Sequence, residues 1–144
     1  MAVDLQYAGE YHLKELLVHT SSGNVLKLTK AVQSIDIYED MFSTSLSGSV
    51  TILDVDNIAE NGPVIGQEYM TLRIATPTLE EQEISIMFSI YKVGVREAVS
   101  QDTQLLSLSF TSPELLKDKQ VRVSKSYTDS IHNIIENILR DTRY

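Results

Sequence analysis

The side chains best suited to chemistry are three histidines, His12, His19 and His132, with a scatter of serines and carboxylates. A histidine metal centre needs imidazoles brought to one point with carboxylates or thiolates. His12 and His19 lie seven apart in an extended segment, so a regular strand points them to opposite faces. His132 sits beside the apolar side of a helical segment. No ligand spacing links the three. The chain has no cysteine, which removes thiolate ligands, disulfides and a thiol nucleophile together, and suits folding in a reducing cytoplasm. The expectation is no metal and no cofactor.

Serine nucleophiles fare no better. A nucleophile elbow needs Gly-x-Ser-x-Gly at a strand-to-helix turn, whereas Leu46-Ser47-Gly48-Ser49-Val50 alternates as a strand does. Asp54-Val55-Asp56-Asn57 begins like a calcium loop, but Ala59 stands where that loop requires glycine. Glu80, Glu81 and Glu83 gather at a strand entrance, and paired catalytic carboxylates need a cleft that no pattern indicates. Phosphate-binding and dinucleotide-binding glycine motifs are absent, and Gly62-Pro63 and Gly66 read as backbone punctuation. The sequence therefore predicts a non-enzyme with no catalytic residues.

With 144 residues, the chain has the length of one domain, expected over 1–144, and its 42% hydrophobic content is enough for a packed core. No apolar run nears the roughly 20 residues that cross a bilayer, and the N-terminus has no secretory pattern. The net charge of −8 argues against a protein that grips nucleic-acid phosphates, and the twelve basic residues are scattered. Their nearest approach to a cluster, Lys117, Lys119, Arg122 and Lys125, reads as a solvated helix end and strand.

The elements that would position any site are mostly strands. Four stretches alternate with period two: Leu46 to Ile52, Met70 to Ile74, Ile84 to Ile90 and Leu106 to Phe110. Each has one apolar side and, on most of them, a side rich in Ser and Thr, the mark of an antiparallel sheet with a packed face and a wet face. Tyr11–His19 and Val25–Thr29 flank the turn Ser21-Ser22-Gly23-Asn24, and Val32 to Tyr38 adds a further strand. Asp54 to Pro63 predicts turns with at most a short helical turn; Ala75-Thr76-Pro77-Thr78 ends a strand; Ser100 to Thr103 makes a hairpin. Ser112 and Pro113 open a short helix as cap and first residue. After an extended Val121 to Val123, Ile131, Ile134, Ile135, Ile138 and Leu139 mark an amphipathic helix with Ser126 as its cap and Asp129 near its start. The predicted fold is mostly β (α+β): an antiparallel β-sandwich or barrel with one C-terminal amphipathic helix packed on it and a short helix before.

The order of these motifs carries a family resemblance. Ile35-Asp36-Ile37-Tyr38-Glu39-Asp40-Met41-Phe42 leads into Ser47-Gly48-Ser49-Val50-Thr51-Ile52-Leu53-Asp54 and then Gly66-Gln67-Glu68-Tyr69-Met70-Thr71-Leu72. Later come Leu106 to Ser112, Pro113-Glu114-Leu115-Leu116, and Ser124-Lys125-Ser126-Tyr127 before the helix from Ile131 to Asp141. Over about residues 10–143 this resembles the first, tail-tube-like domain of the baseplate hub proteins of contractile-tailed, T-even-type bacteriophages. The resemblance implies a virion protein in which copies stand side by side around a β-lined DNA channel with the helix outside. It implies a homo-oligomeric (trimer) ring meeting the central spike, the tail tube and other baseplate proteins, with neither specific DNA binding nor membrane insertion. Hub proteins continue past this helix, so the chain is expected to be the first part of one or a shorter relative.

The polar face of Ile84–Val93 and Gln104–Thr111 is the expected channel wall, and an acidic wall would repel DNA. The competing reading is a monomeric β-sandwich that binds a receptor or carbohydrate. Its 7% aromatic content and lack of Trp give it few platforms for stacking on sugars.

Overall fold

The alternating segments form strands, and all of them join one seven-stranded antiparallel sheet. The structure, a computed structural model, describes residues 10–54, 58, 64–76, 83–100, 103–120, 122 and 124–140. Its strands are β1 (His12–His19), β2 (Val25–Lys27), β3 (Val32–Tyr38), β4 (Ser47–Asp54), β5 (Tyr69–Ala75), β6 (Ile84–Ser100) and β7 (Thr103–Thr111). Among the described residues two longer helices follow, α1 (Pro113–Gln120) and α2 (Ile131–Arg140), so the fold is mostly β with helices toward its C-terminal end. The chain divides into two compact units, 1–113 and 114–144. Apart from Ile58, which is helical, the short turn expected between Asp54 and Pro63 lies outside the described residues, as do Val121, Val123, Glu80 and Glu81.

The sheet order is β2-β1-β5-β6-β7-β4-β3, which puts β2 and β3 on opposite edges. Only residues 28–31 connect them. In a flat sheet those edges would be roughly 29 Å apart, but the five steps from Lys27 to Val32 reach about 18 Å at full stretch. The sheet must therefore curl until its edges nearly meet. The connection is pinned on both sides. Leu28 N–H donates to Leu16 O of β1 at 2.9 Å, and Leu16 N–H donates to Thr29 Oγ1 at 3.0 Å. Across the gap, Leu53 N–H of β4 donates to Ala31 O at 2.7 Å. Of the two architectures expected, the barrel is the one this curled sheet approaches.

Curling encloses one apolar core. β4 alternates between half-buried and buried at every residue, and Val50, Ile52, Met70, Leu72, Phe88, Ile90, Leu106, Leu108 and Phe110 all face inward. At one end, the rings of Phe88 and Phe110 pack with centroids 4.6 Å apart and planes tilted by 45°. Gly48 makes room for them. A Cβ there would lie 2.6 Å from Phe110 Cζ and 2.3 Å from Asp36 O on β3, so any side chain would push the ring or the strand away.

α2 carries the isoleucine face anticipated from the sequence, and none of its residues is buried. Its cap differs from the expectation. Ser130, not Ser126, precedes the first turn, where its Oγ accepts from Asn133 N–H at 3.4 Å, because capping works only from the residue adjoining that turn. Asp129 accepts from the Asn133 side chain and from Ser130 N–H, and these bonds lower its carboxyl pKa. At α1, Ser112 holds the cap position, but its Oγ has no partner among the described residues; its N–H donates instead to Leu46 O.

Gly48→Ala is expected to cost about 2 kcal/mol, in the range for overpacking a dense core, and Gly48→Ala with Phe110→Leu to recover part of it. Urea unfolding of the two variants against the parent protein measures both.

Candidate functional site

Outward-facing residues are set in rows by the strand register. One row runs Tyr38, Ser47, Thr111, Ser89, Tyr69 and His19 across β3, β4, β7, β6, β5 and β1. The next holds Asp36, Ser49, Ser109 and Lys92, and a third Ser34, Thr51 and Ser107. Hydroxyl side chains thus dominate the outer face of β3, β4 and β7 and reach β6. Two members are buried: Thr111, whose Oγ1 donates to Leu46 O at 3.0 Å, and Ser89, whose Oγ has no partner among the described residues.

Alternation alone would turn Lys92 inward with Ile90. A bulge between Ile90 and Lys92 adds one residue to β6, so Tyr91 and Lys92 both face outward, while Ile90 and Val93 stay opposite Phe110 and Leu108. A second irregularity follows between Val93 and Arg96. There Gly94 lies so near β7 that a Cβ would sit 3.0 Å from Ser107 O. The bulged stretch leaves a shallow depression of about 380 Å³ lined by Thr51, Lys92, Gly94, Glu97, Leu105, Ser107 and Ser109. Its two charges are opposite in sign and its other polar groups are hydroxyls. Such a surface is wet and close to neutral.

Among the described residues of the first unit, those weighed for chemistry gather at no single point. His12 and His19 share the outer face, contrary to expectation, because a bulge between Leu13 and Glu15 shifts the alternation of β1. They remain roughly 20 Å apart along the strand, and His19 Nε2 lies 3.1 Å from Thr71 Oγ1. Among the described residues no group of three His, Asp or Glu is placed to hold a metal. Asp54 is buried, and its Oδ1 accepts from Ile58 N–H at 2.7 Å, so it caps a turn instead of opening a calcium loop. Among the described residues no helix is long and apolar enough to cross a membrane.

Glu68 belongs to the Gly-x-Glu stretch that precedes β5. It is 1% exposed and folds back over the loop before β5. Its Oε1 accepts from Ile65 N–H at 2.7 Å, and its Oε2 accepts from Gly66 and Gln67 N–H at 2.8 and 3.0 Å. Gly66 has φ +89°, which lets these amides converge. The Gly-x-Glu spacing was the available signal. On the same sheet, Arg73 bridges Glu15 and Glu83, with guanidinium contacts of 3.1 Å to each. Its hydrogen bonds hold both carboxyls below the usual carboxylate range, helped at Glu15 by a bond from Lys27.

The turn joining β3 to β4 was also missed. Asp40 Oδ1 accepts from Phe42 N–H and Asp40 O from Ser43 N–H, both at 2.9 Å. This fixed turn holds Met41 and Phe42 at 88% and 89% exposure. Two large apolar residues in a stretch of turn formers were the signal.

No protein-family model matches the chain, and no curated protein matches its sequence.

Glu68→Ala leaves three amides without an acceptor and is expected to cost about 3 kcal/mol. Faster hydrogen exchange at Ile65, Gly66 and Gln67, together with urea unfolding, measures it. The Arg73 bridge gives a pH dependence. Glu15 and Glu83 have lowered folded-state pKa values, so their contribution is full above the ordinary carboxylate range and disappears as pH falls through the lowered values. The stability gap between the parent protein and Arg73→Gln is therefore expected to be present at pH 7 and to close at low pH, as read by urea unfolding across a pH series.

Proposed function

We propose that the chain is a structural, non-catalytic subunit of a phage tail baseplate, forming the hub ring that joins the central spike to the tail tube around a DNA channel. The observation that carries this reading is a pair of open strand edges at matching height. Among the described residues β3 pairs only with β4, so the backbone groups of its other edge have no strand partner there from Val32 to Tyr38. β6 pairs with β5 only from Ile84 to Ser89, so its stretch from Tyr91 to Ser100 has no strand on that side among the described residues. Strand directions alternate through β6, β7, β4 and β3. Setting β3 of one copy beside β6 of the next continues the antiparallel order, and repeating that step gives a ring when the rotation per copy divides a full turn.

In such a ring the rows of Ser34, Ser47, Ser49, Thr51, Ser107 and Ser109 join into one hydroxyl wall. Lys92 is the only cation in those rows, so the wall offers little to grip phosphates. The chain's net charge of −8 adds repulsion toward DNA. The wall expected from the sequence was acidic; a nearly neutral hydroxyl surface serves passage equally well. None of the described residues lining the depression is aromatic, which disfavours the carbohydrate-binding alternative.

Negative-stain images and solution mass over a concentration series test the reading. Ring-shaped oligomers with a central hole are expected. A protein that stays monomeric at every concentration contradicts it.

A further inference from the structure

We propose that the Met41–Phe42 turn is a docking knob, and that its seat is formed by Ile65, Tyr69 and Tyr91 of a neighbouring copy of the same chain. The inference rests on the ring reading and adds a contact that the joined sheet edges do not contain.

The knob is built to be held out. Its turn is closed by Asp40 through bonds to Phe42 and Ser43, and Ser43 in turn accepts from Ser45 N–H at 3.3 Å. Ordering a turn around two nearly fully exposed apolar side chains brings no gain within one copy, and exposed apolar groups of this kind mark contact sites. The seat is equally unused: Ile65, Tyr69 and Tyr91 are 61%, 50% and 51% exposed. They share one neighbourhood. Gly66, next to Ile65, lies against the Tyr91 backbone, where a Cβ would come 3.5 Å from Tyr91 O. Tyr69 is cross-strand partner to Ser89, two residues before Tyr91. Glu68 fixes the loop that carries Ile65, so the seat is as rigid as the knob.

Strand register brings the two together. Tyr38, the last residue of β3, is level with Ser47, Thr111, Ser89 and Tyr69. When β3 lies along the open stretch of a neighbour's β6, the chain beyond Tyr38 passes the point where the neighbour's β5 begins at Tyr69. The knob then meets the 65–69 loop. Charge agrees with this pairing. The knob is flanked by Glu39 and Asp40, and the seat by Lys92, which has no ion-pair partner among the described residues. A knob and a seat on different parts of one chain make a head-to-tail contact, the kind that closes rings.

The absence of native cysteine makes the contact directly measurable. Met41→Cys protein is mixed with Ile65→Cys protein and oxidised, with Val25→Cys, exposed on β2, as the control partner. The 41–65 heterodimer is expected to exceed the 41–25 product at least tenfold and to fall to the control level when Phe42→Ser is added. Glu39→Lys and Lys92→Glu should each reduce it, and together restore it. Equal 41–65 and 41–25 yields in a protein that still forms rings overturn the knob and leave the ring reading standing. Equal yields in a protein that stays monomeric overturn both.

Discussion

A four-residue connection between opposite edges of a seven-stranded sheet is the constraint on which the first unit depends. Residues 28–31 are too short to cross a flat sheet, so the strands curl and their inward residues meet in one core. The connection holds because it borrows backbone partners from both sides, Leu16 on β1 and Leu53 on β4. Gly48 acts within the same constraint. It stands directly across from Phe110 on the adjacent strand β7, and only a residue without a side chain leaves room for the ring.

Curvature also explains the surface. A long strand such as β6 follows the bend by adding residues, and each bulge changes which side chains face out. The bulge at Tyr91 brings a tyrosine and a lysine side by side onto the outer face, and the next one sets Gly94 against Ser107. The depression, the seat for the knob and the open edge of β6 all lie along this one irregular strand. Short-range geometry thus prepares the surface that assembly would use.

Much of this was legible in the sequence. Alternation located the strands because one face of each is packed and the other wet, and the isoleucine spacing located α2. Closure was not legible, since nothing in Leu28 to Ala31 announces that its flanking strands lie on opposite edges. Nor were the bulges: His12 and His19 share a face only because β1 gains a residue between Leu13 and Glu15. The α2 cap was misplaced because Ser126 and Ser130 both suit the role by type, and the first helical residue decides between them. The Gly-x-Glu motif was visible as a pattern, but its cause, a carboxylate gathering three amides, needed coordinates.

In the proposed assembly the hydroxyl rows of β3, β4 and β7 face a common axis. A cryo-electron microscopy map of the assembled rings, at a resolution that traces strands, tests it directly. Ser49, Thr51, Ser107 and Ser109 are expected to line the lumen, with β3 of each copy beside β6 of the next. Those residues on the outer circumference would contradict it.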